Sequence, residues 1–174
     1  MKIRVRDVSE APEEVEFEED ASELNPMLQS GEIRDFECCG PLRIALTHYR
    51  AGLDLFFDGR IDAPMSGRCA RCAEMYPFPV EAEFHFLVTP RDEGDDATGE
   101  EDVDLSVYDG DEVDLAPLVR ERVLLSLPTM PLCNEECRGL CPRCGTNLNS
   151  EQCTCPVSDG DPRMAVFRGL RVDR

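Results

Sequence analysis

The alternation of apolar and polar residues predicts a protein built mainly of β-strands. Residues 2–8 and 13–20 each alternate apolar with charged side chains, which indicates two half-buried strands. The clearest alternation covers residues 41–89, where a turn at 50–52 and other short links favour an antiparallel meander. The residues predicted to face the interior of this meander are Leu42, Ile44, Leu46, Leu53, Leu55, Phe57, Ile61, Ala63, Phe78, Val80, Ala82, Phe84, Phe86 and Val88.

One amphipathic helix is predicted over residues 114–128. Asp114 is a suitable N-cap, Pro117 is tolerated in the first turn, and Pro128 ends the helix. The positions with helical spacing are Leu115, Leu118, Val119, Arg122 and Val123, with Leu125 and Leu127 beyond them. The pattern over residues 21–35 is too short and too broken to predict a second helix. The expected fold class is therefore α+β, with one antiparallel β-sheet meander, one packed helix and a cysteine-rich C-terminal segment.

The periodicity ends at Pro128, and Cys, Gly, Pro and Asn residues replace it. A segment of this composition buries too little apolar surface to fold alone, so it needs a cross-link such as a metal ion. We therefore predict an α+β sheet domain at residues 1–130, a zinc-binding module docked on it at 131–156, and an arginine-bearing tail at 157–174. Within the sheet domain, the acidic run at 91–104 is predicted to be a solvated, mobile loop.

The chain is strongly acidic, with a formal net charge of −19, but the charge is uneven. Residues 138–174 hold six arginines against four acidic residues, a local balance of +2, which leaves −21 for the rest of the chain. An acidic body of this kind repels nucleic acid, so any direct RNA contact is expected in the C-terminal part. The candidate RNA contacts are Arg138, Arg143, Arg163, Arg168 and Arg171. The alternative is that these arginines are only solvated and that Val166, Phe167 and Leu170 pack on the core or on a partner.

The composition also predicts a cellular compartment. The first residues, MKIRVRDVSEAPEE, contain no apolar stretch, and no apolar run in the chain approaches the roughly 18 residues that a membrane span needs. We therefore expect a cytoplasmic protein without a secretory signal of ordinary design. Because structural disulfides are rare in that reducing compartment, the ten cysteines are better explained as metal ligands.

Four cysteines near the C-terminus have the spacing of a closed zinc site. Cys141 and Cys144 form a CxxC pair, and Cys153 and Cys155 follow a connecting loop of eight residues. Gly145 supplies the positive φ that such a turn often needs. Four thiolates at this spacing predict a tetrahedral, structural Zn²⁺. An iron–sulfur cluster is also held by four cysteines, so iron is the alternative metal.

A second four-cysteine site is predicted from the remaining pairs, which brings the expected content to two zinc ions per chain. Cys69 and Cys72 form another CxxC, and Cys133 and Cys137 are spaced CxxxC. This site would tie a loop between two strands to the segment that leaves the helix. The spacing leaves one rival grouping open. In that grouping the four cysteines between 133 and 144 form one local site, and the pair at 69 and 72 joins the pair at 153 and 155.

The remaining cysteines and histidines do not indicate catalysis. Cys38 and Cys39 are adjacent in a strand-like stretch, where neighbouring side chains point to opposite faces, and we predict free, buried thiols. His48 and His85 lie in predicted strands, and neither belongs to a catalytic zinc motif. The sequence has no phosphate-binding loop and no GxSxG motif. We therefore expect no enzymatic activity, no small-molecule substrate and no membrane association.

The C-terminal motif resembles that of the YceD family, described as the large ribosomal RNA subunit accumulation proteins. The resemblance rests on Leu127-Pro128, Pro131-Leu132-Cys133, Cys137-Arg138-Gly139-Leu140-Cys141-Pro142-Arg143-Cys144-Gly145, Asn147-Leu148-Asn149 and Cys153-Thr154-Cys155. Upstream, Gly59-Arg60-Ile61 and Cys69-Ala70-Arg71-Cys72 also match, so the resemblance spans roughly residues 2–155. It covers the eight cysteines of the two predicted sites. It does not cover Cys38 and Cys39, the acidic run or the arginine-bearing tail.

The resemblance implies a bacterial cytoplasmic protein that supports accumulation of large-subunit rRNA around ribosome assembly, with no known enzymatic reaction. Some relatives lack the C-terminal motif as a unit, which favours a first site made of the pairs at 69/72 and 133/137. Our leading hypothesis is a zinc-binding assembly factor whose acidic body binds a basic ribosomal protein or a pre-ribosomal particle. The alternative is a redox-switched zinc chaperone with reactive CxxC thiols. A hydrolase or transferase is a third class, for which the sequence offers no nucleophile or base.

Overall fold

The computed structural model describes residues 1–30, 35–91, 105–108 and 110–156, with the side chains of Leu105 and Ser106 excepted. Its elements in chain order are β1 (Lys2–Arg4), a 3₁₀ helix (Val5–Asp7), β2 (Glu13–Glu19), α1 (Leu24–Gln29), β3 (Phe36–Cys38), β4 (Leu42–Ala51), β5 (Asp54–Ala63), β6 (Met65–Arg68), β7 (Met75–Pro77), β8 (Val80–Pro90), β9 (Leu105–Tyr108), β10 (Glu112–Asp114) and α2 (Ala116–Leu125). Apart from Arg91, the acidic run predicted as a loop lies outside the described residues. So does the arginine-bearing tail from residue 157 onwards.

The main sheet has five strands in the order β2-β4-β5-β8-β9. The first four pair antiparallel, and β9 runs parallel to β8. The period-two pattern predicted its buried face well, because almost every residue assigned to the interior is buried there. There are two exceptions. Leu53 lies in the tight turn between β4 and β5 and is 73% exposed, and Phe78 lies before β8 and is only half-buried. The α+β fold class, with strands as the dominant element, is confirmed.

The expectation of a single sheet was wrong. The described residues form two further sheets, one of three strands in the order β3-β6-β7 and one of the two strands β1 and β10. The chain leaves the main sheet at Pro64, between β5 and β6, because proline has no N–H to continue the ladder. The Pro64 carbonyl instead accepts a hydrogen bond from the N–H of Cys39 at 2.7 Å. This exit from the main sheet directs β6 towards the first CxxC pair.

Two N-terminal elements also differ from the prediction. The first strand ends at Arg4, and the next three residues form the 3₁₀ helix rather than continuing the strand. A six-residue helix, α1, lies where the sequence pattern predicted none. Tertiary contacts hold this short helix in place. The Asn25 side chain accepts a hydrogen bond from the Cys38 N–H at 2.8 Å and donates one to the Cys38 carbonyl at 3.1 Å, and Leu28 is buried.

The helix α2 covers ten residues and is shorter than predicted, but it packs on β5 and β8 as expected. Its N-cap position is Leu115 and not Asp114 as predicted, because the helix begins one residue later. The carboxylate of Asp114 still accepts a hydrogen bond from the Ala116 N–H at 3.0 Å. Val119 and Val123 are fully buried, whereas the Arg122 guanidinium donates to the Glu83 carbonyl at 2.8 Å. In the part of the chain that the structure describes, no helix is long and apolar enough to cross a membrane.

Candidate metal centre

Four thiols converge between the turn that joins β6 to β7 and the segment that follows α2. We call them the first cluster: Cys69, Cys72, Cys133 and Cys137. All four sulfur atoms lie within 4.8 Å of one another. The Sγ atoms of Cys69 and Cys137 are 3.7 Å apart, and those of Cys72 and Cys133 are 3.8 Å apart. The structure therefore brings together the two pairs that the sequence separates by more than 60 residues.

Arg71 connects the CxxC turn to the segment that carries the other two cysteines of the first cluster. Its guanidinium donates to the carbonyl oxygens of Glu135 at 2.9 Å and Cys137 at 3.0 Å. Its own carbonyl accepts the Leu140 N–H at 3.0 Å, and the neighbouring Ala70 N–H donates to the Pro131 carbonyl at 2.8 Å. The sequence alone indicates no role for Arg71. Arg71 lies between two predicted ligands in the sequence, but this position gives no information about the distant carbonyl groups that its side chain contacts.

The remaining four cysteines form the second cluster: Cys141, Cys144, Cys153 and Cys155. The Sγ atom of Cys153 lies 3.4 Å from that of Cys144 and 3.3 Å from that of Cys141. A tight turn places the CxxC pair on one side, since Gly145 has a φ of 75° and donates its N–H to the Cys141 carbonyl at 2.9 Å. The second cluster thus has the local spacing that the sequence predicted, and the rival grouping of the eight cysteines is not formed.

The distances between sulfur atoms fit metal coordination better than disulfide bonding. A tetrahedral zinc site with bonds of about 2.3 Å places its sulfurs roughly 3.8 Å apart, whereas bonded sulfurs are about 2.05 Å apart. The first cluster matches the former spacing, and the second is slightly more compact. Backbone N–H groups also donate to the sulfurs, at 3.5 Å from Arg71 to Cys69 and at 3.3 Å from Cys155 to Cys153. The donor sets therefore fit a metal ion.

The electrostatics of both clusters also favour a bound cation. Burial raises the pKa of Cys69, but N–H donors, including the one of Cys133, outweigh it and lower the pKa to about 6. Burial and the neighbouring thiols raise the pKa of Cys133 to about 12. In the second cluster, hydrogen bonds with Thr146 lower the pKa of Cys144 to about 6, and those with the adjacent thiols raise the pKa of Cys155 to about 12. Four adjacent thiols cannot all ionise unless a cation offsets their repulsion.

Asn149 is a second residue whose role the sequence did not reveal. It lies in the loop of the second cluster, but its side-chain Nδ2 donates to the Cys137 Sγ of the first cluster at 3.3 Å. Its Oδ1 accepts the Arg138 N–H at 2.8 Å. Asn149 belongs to the Asn147-Leu148-Asn149 motif of the family resemblance, and the motif by itself indicates no function for it. A hydrogen bond between clusters has no signature in sequence spacing.

The five arginines proposed to contact RNA are only partly described. Arg138 is exposed between the two clusters, directly after Cys137, and Arg143 is exposed inside the CxxC pair of the second cluster. Arg163, Arg168 and Arg171 lie outside the described residues. Contact with RNA therefore stays a prediction for all five.

The other cysteines and the histidines lie outside both clusters. Cys38 is buried, as predicted, but the prediction of a buried thiol was wrong for Cys39, which follows the end of β3 and is exposed. His85 is exposed on the main sheet, and its Nδ1 lies 2.8 Å from the Asp58 carboxylate. His48 is only 5% exposed and packs beside Phe57. Neither histidine belongs to a group of metal ligands among the described residues.

Comparison with known proteins identifies relatives over much of the chain. The model of one protein family, described as "Large ribosomal RNA subunit accumulation protein YceD", matches residues 57–171. An uncharacterized protein of Mycobacterium tuberculosis is 39% identical over 93 residues, which cover 53% of this chain and 44% of that protein. The chloroplastic large ribosomal RNA subunit accumulation protein YCED homolog 1 of Zea mays is 30% identical over 158 residues, which cover 74% of this chain and 54% of that protein.

A third relative matches along almost its whole length. The uncharacterized protein YlbN of Bacillus subtilis is 26% identical over 172 residues, which cover 98% of this chain and 96% of that protein. By contrast, the chain spans less than half the length of the mycobacterial relative and about half that of the maize protein. No solved structure matches the chain.

Proposed function

This chain belongs to the YceD family, and on that premise we propose that it is a zinc-binding factor that supports accumulation of large-subunit rRNA during ribosome assembly. It acts in the cytoplasm, catalyses no reaction of its own and takes no small-molecule substrate. The observation that carries the proposal is the convergence of eight cysteines into two groups of four, within the segment that the family model matches. Two zinc ions are therefore expected per chain.

The role of zinc in this proposal is structural. Four sulfurs complete a tetrahedral shell and leave no open position for water or substrate. In the first cluster, the thiolates join the turn after β6 to the segment after α2. In the second cluster, they close the loop of residues 145–152. These cross-links take the place of the apolar core that residues 131–156 lack.

The partner that the charges favour is a basic ribosomal protein, either free or within a pre-ribosomal particle. The exposed face of the main sheet carries three cross-strand rows of side chains, which are polar except at Ala45, and the register aligns each row over β2, β4, β5 and β8. The acidic residues of this face are Glu14, Glu16, Glu18, Asp58, Asp62, Glu81 and Glu83. The same face carries two arginines, Arg43 and Arg60, so its net charge is negative. Complementary charge accelerates the encounter with a basic partner.

The shape of the same face suits an extended basic segment. An open groove of about 750 Å³ runs over it and is lined by Glu14, Glu16 and Glu83 among others. Arg138 and Arg143 are exposed on the cysteine-rich segment, and we propose them as phosphate contacts once a partner has brought the protein to rRNA. The acidic face and the exposed arginines then have separate roles.

The proposed function is tested first in cells. A bacterium depleted of this protein should show a lowered ratio of large-subunit to small-subunit rRNA, and the wild-type gene should restore it. Variants that remove one cysteine from either cluster should restore it poorly at equal protein level. An unchanged ratio on depletion would overturn the proposal.

A binding experiment tests the partner. The metal-loaded protein is mixed at low salt with basic ribosomal proteins and, separately, with fragments of large-subunit rRNA. The triple variant Glu14→Gln, Glu16→Gln, Glu83→Gln should lose affinity for the ribosomal protein. The matched control, Glu74→Gln, Glu112→Gln, Glu121→Gln, removes the same charge from exposed positions elsewhere and should bind more tightly than the first triple. If the wild type binds neither the ribosomal proteins nor the rRNA, the partner proposal fails.

A second candidate function is a redox-switched zinc chaperone, and one observation favours it. Cys144 is exposed, whereas Cys141 of the same cluster is buried, so peroxide can reach the Cys144 sulfur. Accessible thiolates are the first to react with peroxide. On this alternative, mild peroxide releases zinc from the second cluster and the oxidised protein prevents aggregation of an unfolded client. Zinc that stays bound under these conditions would exclude this function.

A further inference from the structure

The loop that carries Asn149 depends on the second cluster for its conformation. Residues 145–152 run between Cys144 and Cys153, so a metal ion held by these thiolates closes the loop at both ends. A loop of this composition is costly to close without such a cross-link. Within the loop, the Leu148 N–H donates to the Gly139 carbonyl at 2.9 Å, which fixes its middle against the segment before the second cluster.

A neighbouring side chain then fixes the orientation of the Asn149 carboxamide. The Oδ1 atom of Asn147 accepts hydrogen bonds from the Asn149 backbone N–H at 3.0 Å and from Asn149 Nδ2 at 2.9 Å. At the other end, Asn149 Oδ1 accepts the Arg138 N–H. Since only the nitrogen end of a carboxamide can donate, the end that lies 3.3 Å from the Cys137 sulfur is Nδ2.

We propose that Asn149 couples the two metal sites. It is a positioning residue: the second cluster holds its loop, and its carboxamide donates to a thiolate of the first cluster. Occupation of the second site therefore raises the metal affinity of the first, and by reciprocity occupation of the first raises that of the second. Loss of such a contact to a metal ligand lowers metal affinity by about 10- to 100-fold. This inference rests on the proposed content of two zinc ions.

The chain offers a matched control for this hydrogen bond. Asn134 Nδ2 lies 3.7 Å from the sulfur of Cys133, another ligand of the first cluster. Asn134 is adjacent to that cysteine in the chain and has no link to the loop of the second cluster. Asn134→Ala therefore removes an amide donor from the same site without breaking the proposed connection between the sites.

The experiment measures metal affinity at each site separately in the full-length protein. Cadmium replaces zinc, each four-cysteine site gives its own cadmium NMR signal, and a competing chelator removes the metal stepwise. The signals are assigned with Cys72→Ser and Cys144→Ser. Two single variants are compared, Asn149→Ala and Asn134→Ala. A double variant carries both Cys144→Ser and Cys155→Ser and so lacks the second site, and each alanine change is also combined with this double variant.

Loss of the second site should weaken the first by about 10- to 100-fold, and Asn149→Ala should weaken it similarly while the second site still holds metal. When Asn149→Ala is combined with the double cysteine variant, the first site should bind metal no more weakly than in either variant alone. Asn134→Ala, in contrast, should weaken the first site by the same factor in both backgrounds. The inference is overturned if loss of the second site leaves the metal affinity of the first site unchanged. It is also overturned if Asn149→Ala weakens the first site by the same factor whether or not the second site is present.

Asn149→Ala alone decides the question if the double cysteine variant does not fold. In that case the affinities of both sites should fall by the same factor in Asn149→Ala, as reciprocity requires, and unchanged affinities would refute the coupling. The outcome is distinct from a failure of the proposed function. A metal content other than two per chain contradicts the two-zinc proposal, whereas two ions with independent affinities contradict only this inference.

Discussion

The carbonyl oxygen of Arg71 lies 3.0 Å from the position that a Cβ atom would occupy on Gly139. Gly139 has a φ of 72°, in the left-handed region, and the next residue, Leu140, donates its N–H to the same carbonyl at 3.0 Å. The segment between the two clusters therefore passes directly against the CxxC turn of the first. Only glycine fits both the backbone conformation and the available space.

Gly139→Ala should accordingly separate the segment from this turn. The substitution adds left-handed strain and a close contact with Arg71, and we expect a loss of stability of about 2 to 4 kcal/mol, together with weaker metal binding at the first cluster. Urea unfolding of the metal-loaded protein measures the loss. The control is Gly52→Ala, which has a φ of 67° but open space around the added Cβ, and which should cost only about 1 to 2 kcal/mol. Equal losses for the two variants would show that the approach to Arg71 is unimportant.

Each single cysteine substitution in a cluster should remove the metal ion of that cluster and leave the other ion bound. Elemental analysis of the natively purified wild type should find two zinc ions per chain. Cys72→Ser and Cys137→Ser should each lose the ion of the first cluster, and Cys144→Ser and Cys155→Ser that of the second, because three thiolates hold the ion far less tightly than four. Cys39→Ser changes an exposed thiol outside both clusters and should keep both ions. Iron instead of zinc, or one ion in the wild type, would contradict the assignment.

Gly59→Ala should be strongly destabilising although it adds only one methyl group in the middle of β5. A Cβ at this position would lie 2.5 Å from the Ala45 carbonyl oxygen and 2.7 Å from both the Leu46 Cβ and the Phe84 ring. We expect a loss of about 1 to 3 kcal/mol in thermal or urea unfolding, because backbone and buried ring must both shift. Gly67→Ala in β6 is the control, since its nearest neighbours are aromatic side chains at 3.3 and 3.4 Å. A Gly59 variant as stable as this control would contradict the prediction.

Asp114 should make the stability of α2 depend on pH. Burial opposes ionisation of this carboxyl, but the Ala116 N–H and the Met1 ammonium outweigh it and lower its pKa. A lowered folded-state pKa contributes stability that is present above the unfolded pKa of about 3.9 and is lost as the pH falls through the folded value. Because the side chain is 43% exposed, Asp114→Ala should cost only about 0.5 to 1 kcal/mol at pH 7.

The measurement for Asp114 is urea unfolding between pH 7 and pH 3. The difference between the wild type and Asp114→Ala should shrink as the pH falls below about 4. Asp114→Asn keeps an acceptor for the Ala116 N–H but cannot ionise, so its stability relative to Asp114→Ala should not change with pH. A difference between the wild type and Asp114→Ala that stays constant down to pH 3 would contradict the role of the ionised carboxylate.

Local patterns in the sequence determined most of the main sheet and indicated one of the two clusters, although a rival grouping of its cysteines stayed open. Alternation of period two predicts the buried face of β4, β5 and β8, because side chains in a strand point to alternate faces whatever the strand pairs with. The second cluster lies within residues 141–155, and chain geometry over so short a distance already limits which thiols can share an ion. For the same reason the sequence drew attention to the Asp114 carboxylate at the start of α2, which accepts a hydrogen bond from a residue two positions away, although the N-cap position itself is Leu115.

Tertiary structure decided the features that depend on distant parts of the chain. Spacing alone allowed two groupings for Cys69 and Cys72, and the exit of the chain from the main sheet at Pro64 and the end of α2 bring them to Cys133 and Cys137. The hydrogen bonds from Arg71 and Asn149 likewise join segments that only the fold makes neighbours. Sequence periodicity records which face of an element is apolar, but the partner of a polar atom depends on the relative placement of whole elements.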